Sequence, residues 1–153
     1  MITASKPTVL VTGASGFIAM HCVLQLLEQG YRVSGTLRSV SREDHLRDIF
    51  SQKVQIDGRL EFVQADLTRD DGWERATVAC QFVLHVASPI AAVAPEDEND
   101  LIIPAREGTL RVLRAAKTSG VIRVVVTSSV AAIWLGHTNY DKTFDEKDWS
   151  NLD

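Results

Sequence analysis

Val11-Thr12-Gly13-Ala14-Ser15-Gly16-Phe17-Ile18-Ala19 decides how this chain is read, because it joins two segments of different period. Upstream, Thr8-Val9-Leu10-Val11-Thr12 is a β-branched apolar run with no polar alternation, as in a strand buried on both faces. Downstream, Ile18, Val23, Leu24, Leu26 and Leu27 recur at helical spacing over residues 17–29, and Gly30 stands where a left-handed C-cap belongs. Between the two, Gly13 permits a tight turn and Gly16 leaves the backbone open to close approach. Ala19 is small enough for the helix to lie tightly on a sheet. A helix opening straight after a strand offers free N–H groups and a partial positive charge, which suits a phosphate. Glycines serving only the sterics of the turn are the competing reading, and the strand–helix context weighs against it.

The same alternation continues outward. A second strand is expected over 31–37, and Ser41 is expected to cap a helix running to about Phe50, with Asp44 as a loose capping-box partner. Asp57-Gly58 signals a turn before a third strand over 60–63. A short helix over 73–78 and a fourth strand over 82–86 follow. Pro104 is placed in the first turn of the next helix, where its missing N–H costs little; that helix runs to Ser119 and Gly120 stops it. A fifth strand covers 123–127. Strands and helices in this order require right-handed crossovers and a parallel sheet covered on both faces. The expected class is therefore α/β, a Rossmann-type doubly wound parallel sheet of about five strands spanning 1–127. A ligand belongs at the carboxyl ends of its strands.

Residues 128–153 carry polar and aromatic side chains without a helix or strand longer than a few residues, an unusual tail for a compact domain. The sheet reads as incomplete. An open edge and an apolar face through which copies could self-associate are expected.

Bulk properties narrow the partners. The 153 residues fit one domain, and 45% hydrophobic with 24% charged residues is ordinary globular composition. A net charge of −4 argues against nucleic acid, and no stretch is apolar for long enough to span a membrane. Cys22 and Cys80 lack metal-ligand or disulfide-framework spacing and are expected to be buried free thiols, which fits a cytoplasmic setting.

The G-x-x-G-x-x-A spacing resembles the fingerprint of the extended short-chain dehydrogenase/reductases. The surrounding residues are similar to their dihydroflavonol reductase, cinnamoyl-CoA reductase and aldehyde (methylglyoxal) reductase branch. Further stretches carry the likeness in the family's order: Ala65-Asp66-Leu67, His85-Val86-Ala87-Ser88-Pro89, Arg106-Glu107-Gly108-Thr109 and Val126-Thr127-Ser128-Ser129-Val130.

The second strand ends Thr36-Leu37-Arg38-Ser39, and no acid appears until Glu43. A carboxylate there would hold the ribose 2′-hydroxyl of NAD, whereas Arg38, with Arg42 four residues on, suits the 2′-phosphate of NADP. The resemblance implies that Gly13, Ser15, Gly16, Phe17 and Ile18 bind the cofactor's pyrophosphate side and that Asp66 and Leu67 lie along the adenine. It also implies that Val86, Ala87 and Ser88 run beside the ribose and pyrophosphate, and that Thr127 and Ser128 flank the cofactor. His85 is read as structural rather than catalytic. The family reduces a carbonyl with a hydride from the nicotinamide, a proton from a tyrosine whose pKa a lysine four residues on lowers, and a serine that polarises the carbonyl. That serine corresponds to Ser129.

Four residues beyond Tyr31 and Tyr140, the two tyrosines, lie Gly35 and Phe144, so the sequence contains no Tyr-x-x-x-Lys. Tyr140 is expected in a surface loop. The resemblance thus implies the N-terminal, cofactor-binding portion of a longer NADP(H)-dependent reductase acting on a small-molecule carbonyl, lacking the C-terminal substrate domain and inactive alone. The alternatives are an NAD-dependent nucleotide-sugar epimerase or dehydratase, which Arg38 disfavours, and a non-catalytic dinucleotide-sensing module.

Overall fold

The computed structural model describes residues 6–89 and 95–152. β1 (Thr8–Val11), β2 (Arg32–Leu37), β3 (Leu60–Gln64), β4 (Cys80–His85) and β5 (Arg123–Val126) form one sheet in the order β3-β2-β1-β4-β5. Every neighbouring pair is parallel. From β1 the chain first winds outward through β2 and β3, then returns to the other side for β4 and β5. The strands flanking β1 therefore lead their connections to opposite faces, which opens a crevice at the carboxyl ends.

The two faces bury separate cores. On one, α1 (Phe17–Glu28) and α2 (Glu43–Ser51) pack Val23, Leu27, Leu46 and Phe50 against Val11, Val33 and Phe62. On the other, α3 (Trp73–Thr77) and α4 (Asn99–Thr118) pack Trp73, Ala76, Val112 and Ala116 against Leu10, Val63 and Val83. All five strands end within a residue of the expected carboxyl-terminal limits, although β4 begins two residues early, and the helices α1 and α3 match the periodicity. The paired positive φ angles of Asp57 and Gly58 make the expected turn.

Three local expectations need correction. Ser39, not Ser41, caps the segment after β2: its hydroxyl accepts from Ser41 N at 3.3 Å and opens a 3-10 turn, Val40–Arg42, ahead of α2. A three-residue turn places the capping position two residues earlier than a direct helix start would, so α2 begins at Glu43 without a side-chain cap and Asp44 has no capping-box role. Pro104 lies in the second turn of α4, not the first. Asp97 Oδ1 accepts from Asn99 N at 2.8 Å, which starts the helix a turn sooner, and the proline ring leaves the carbonyl four residues back without its helical donor. Cys80 is buried and its thiol is pushed up to about 11 by burial, but Cys22 is only half-buried.

The tail beyond β5 contains one four-residue helix, α5 (Ala131–Trp134). Residues near 150 fold back on it, with Ser150 N donating to Ala132 O at 2.9 Å and Asn151 N to Leu135 O at 3.0 Å. Tyr140 sits there half in solvent, edge-on to Trp134 and tilted against Phe144. β5 forms an edge of the sheet, and Ile122 at 72%, Val125 at 54% and Val126 at 43% exposure leave its apolar surface open. Among the described residues no helix is long and apolar enough to cross a membrane.

Phe50 anchors α2 at 2% exposure. Phe50→Ala is expected to lower the unfolding free energy by about 3–5 kcal/mol, checked by urea denaturation; a loss under about 1 kcal/mol would mean α2 is not part of the cooperative core.

Candidate dinucleotide site

A cleft of about 890 Å³ opens over the carboxyl ends of β1, β2, β3 and β4. That size lies within the range of small-molecule and cofactor sites. Its floor is built at the sharp turn after β1. Gly13 has φ +66° and a side chain there would meet Ala87 Cβ at 2.9 Å, so glycine is what lets the turn and the end of β4 close on each other. Thr36 at the end of β2 holds the turn from the other side. Its hydroxyl accepts from Gly13 N at 2.9 Å and its carbonyl from Ala14 N at 2.8 Å.

The β4 wall is fixed by one buried hydroxyl. Thr12 Oγ1 accepts from Val86 N and Ala87 N, both at 3.0 Å. Both acceptor positions being filled, the hydroxyl proton goes to His85 Nδ1 at 2.9 Å, which makes His85 a neutral imidazole protonated at Nε2. Burial holds its pKa below the ordinary value, in keeping with that assignment. His85 is thus a buried histidine held through Nδ1 by Thr12.

The helix side is an open donor set. Gly16 is the N-cap of α1 and supplies no side-chain cap, so the first N–H groups of α1 have neither a capping side chain nor an intrahelical partner. Phe17, Ile18 and Ala19 line the cleft, Phe17 at 80% and Ile18 at 56% exposure. A side chain at Gly16 would crowd Gly13 O at 3.2 Å, so glycine keeps this cleft-lining backbone bare. A dinucleotide fits this arrangement: free amides at a helix N-terminus, a backbone bare at Gly16, and two arginines on the rim.

Those arginines, Arg38 and Arg42, both line the cleft, and neither makes a salt bridge among the described residues. Gln64 Nε2 donates to Arg38 O at 3.1 Å and so ties this rim to the end of β3. Opposite stands Asp66. The Thr68 amide, donating to its Oδ1 at 2.9 Å, holds its carboxyl below the ordinary value despite partial burial; the Thr68 hydroxyl and the charges of Arg38 and Arg69 add to this. Asp66 is therefore a turn-capping carboxylate that also faces the cleft.

Gly13, Ser15, Gly16, Phe17, Ile18, Arg38, Arg42, Asp66, Leu67, Val86, Ala87 and Ser88 all come together on this cleft. Thr127, Ser128 and Ser129 do not line it. They follow β5, where Thr127 N donates to His85 O at 3.0 Å, and Ser129 Oγ accepts from Ala131 N at 3.2 Å at the start of α5. Thr36, Leu37, Ser39, Thr68 and Trp73 line the cleft without having been singled out in the sequence. The Asp66-Leu67-Thr68 spacing is a readable Asx-turn signal. Trp73 carries no local signal, since only the packing of α3 under the sheet brings its indole to the turn at Asp66.

Comparison with known proteins agrees with this geometry. Residues 9–148 match the model of the NAD dependent epimerase/dehydratase family. The chain is 38% identical to a putative anthocyanidin reductase from Ginkgo biloba, covering 95% of this chain and 43% of that protein. It is 37% identical to dihydroflavonol 4-reductase from Callistephus chinensis, covering 97% and 41%. Among solved structures it resembles yeast methylglyoxal/isovaleraldehyde reductase complexed with NADPH, at TM-score 0.79, 32% identity and coverage of 94% and 44%. Vestitone reductase from alfalfa gives TM-score 0.75, 30% identity and coverage of 95% and 43%. The chain spans less than half the length of these relatives.

His85 gives the site a pH signature. Its pKa is depressed on folding, so the associated stability is present above pH 6.5 and is lost as pH falls below it, where the unfolded chain takes up the proton more readily. The urea midpoint is expected to fall between about pH 7 and about pH 5.5, and to fall less in His85→Gln. Equal pH dependence in the two proteins would place the acid sensitivity elsewhere.

Proposed function

This chain belongs to the NAD dependent epimerase/dehydratase family, and from that premise we propose that it is the cofactor-binding portion of an NADP(H)-dependent reductase that converts a ketone or aldehyde to an alcohol. The observation that carries the reading is the rim at the end of β2. It presents Arg38 and Arg42 to the cleft with no carboxylate between them, a pair suited to a 2′-phosphate and unsuited to a bare ribose diol. The relatives support the same branch, since reductases recur among them and the yeast structure holds NADPH.

In this reading residues 1–127 are the dinucleotide unit. The N–H groups of Phe17 and Ile18 at the α1 N-terminus and the bare backbone at Gly16 receive the pyrophosphate, and Arg38 and Arg42 grip the 2′-phosphate. Asp66 and Leu67 border the adenine; Val86, Ala87 and Ser88 border the ribose and pyrophosphate. The bound nicotinamide would supply the hydride. Residues 128–153 begin the active-site region, where Ser129 polarises the substrate carbonyl and Thr127 and Ser128 flank the cofactor. Without a Tyr-x-x-x-Lys the 153 residues have no proton donor of the family's kind, so they bind cofactor without turning over substrate. The open face around Val125 further supports concentration-dependent self-association.

Calorimetric titration with NADPH and NADH tests the cofactor reading. NADPH is expected to bind at least about tenfold tighter, and Arg38→Ala to remove most of that preference. Equal binding, or preference for NADH, would overturn it and bring forward the NAD-dependent epimerase or dehydratase reading. In an absorbance assay the purified 153-residue chain is expected to oxidise NADPH no faster with an added aldehyde than without; robust aldehyde reduction would overturn the assignment of this chain as non-catalytic.

A further inference from the structure

Leu67 lines the cleft, yet the group that holds its backbone stands outside it. After β3 the chain makes a turn over residues 66–70, closed internally by Arg69 N donating to Asp66 O at 3.0 Å and by Thr68 on Asp66 Oδ1. From α3 the Trp73 indole donates to Asp66 O at 3.1 Å and Arg69 O at 3.0 Å. From α4 the guanidinium of Arg111 donates through Nη1 to Leu67 O at 2.9 Å and pairs through Nε with Asp70. The Arg111 side chain is 23% exposed, so most of it lies packed against its surroundings rather than in solvent. Three residues earlier on the same helix face, a Cβ at Gly108 would stand 2.9 Å from Leu67 Cβ, so α4 lies on the turn with no room to spare.

We infer that Arg111, which does not itself line the cleft, is a positioning residue for the adenosine end of the dinucleotide, acting through the Leu67 carbonyl. This rests on the cofactor reading above and extends it. Arg38 reaches Asp66 electrostatically, so the turn Arg111 holds is also one wall of the 2′-phosphate rim. A planar guanidinium can serve Leu67 O and Asp70 together because its donors diverge in one plane; a shape-matched apolar side chain serves neither. Freeing Leu67 O loosens the turn at Asp66 and Leu67 and adds the cost of reordering it to each binding event.

Calorimetric binding of 2′,5′-ADP, which carries the adenosine and its 2′-phosphate but no nicotinamide, reads this directly on the 153-residue chain. Arg111→Met is expected to weaken binding about tenfold, whereas Asp70→Ala, which leaves the bond to Leu67 O in place, costs less than about twofold. Val23→Ala hollows the core on the opposite face of the sheet. It is expected to lower Tm while leaving affinity within about twofold, which separates positioning from loss of stability. Amide exchange at Thr68 and Arg69 is expected to quicken in Arg111→Met relative to the amides of β3. Unchanged 2′,5′-ADP affinity in Arg111→Met, or an equal loss in Val23→Ala, overturns the inference and leaves the cofactor reading standing. If the wild-type chain does not bind 2′,5′-ADP, both fall. Should Arg111→Met fail to fold, Arg111→Lys, which keeps the charge but not the fork, is expected to lose affinity severalfold, and wild-type affinity there overturns the inference.

Discussion

The hydroxyl of Thr12 is the point on which the site depends. It lies fully buried at the end of the central strand, accepts two backbone amides from the end of β4 and donates to His85. In a parallel sheet whose order reverses at β1, the strands on either side separate at their carboxyl ends, and the amides just past β4 have no ladder partner there. A single side-chain oxygen satisfies both. Substituting an apolar group of the same shape would leave two part-buried donors without their protein acceptor, costlier than the loss of one surface hydrogen bond.

What the crevice can bind follows from how its three walls are tied to that point. The glycine turn is drawn to β2 by Thr36 and to β4 by the contact between Gly13 and Ala87. The helix N-terminus is left uncapped, and the rim at the end of β2 carries two arginines without salt bridges among the described residues. The wall after β3 is held from below by α3 and α4, through Trp73 and Arg111. A charged group in a cleft of this kind is recognised by donors already in place, so little ordering is left to binding itself.

Much of the fold was legible because buried parallel strands and amphipathic helices each impose a period on the chain. Thr8 to Val11, Arg123 to Val126 and the helix after Gly16 declare themselves by local pattern alone. The misreadings fell where a local signal had two nearby solutions. Ser39 and Ser41 are both competent caps, and the tight turn between β2 and α2 selected the first. Pro104 fits the first turn of a helix but is tolerated in the second when Asp97 starts the helix early. Twelve of the fifteen expected site residues share the cleft: most sit just past a strand end or on the glycine turn, Phe17 and Ile18 open α1, and Arg42 ends the 3-10 turn after β2. Thr127, Ser128 and Ser129 do not, because they follow the strand at the open edge of the sheet.

By itself the sequence determined the α/β class, the glycine turn between the first strand and the first helix, and the absence of an acid at the end of β2. Each depends on residue types within a few positions of one another. Only the tertiary structure decided the state of His85, the tie from Thr36 to the turn and the reach of Trp73 and Arg111 to the loop after β3. The contacts of His85, Thr36 and Arg111 join residues 23 to 73 positions apart. Hydrogen bonds of that kind form between groups brought together by burying two cores on a shared sheet, and no local period announces them.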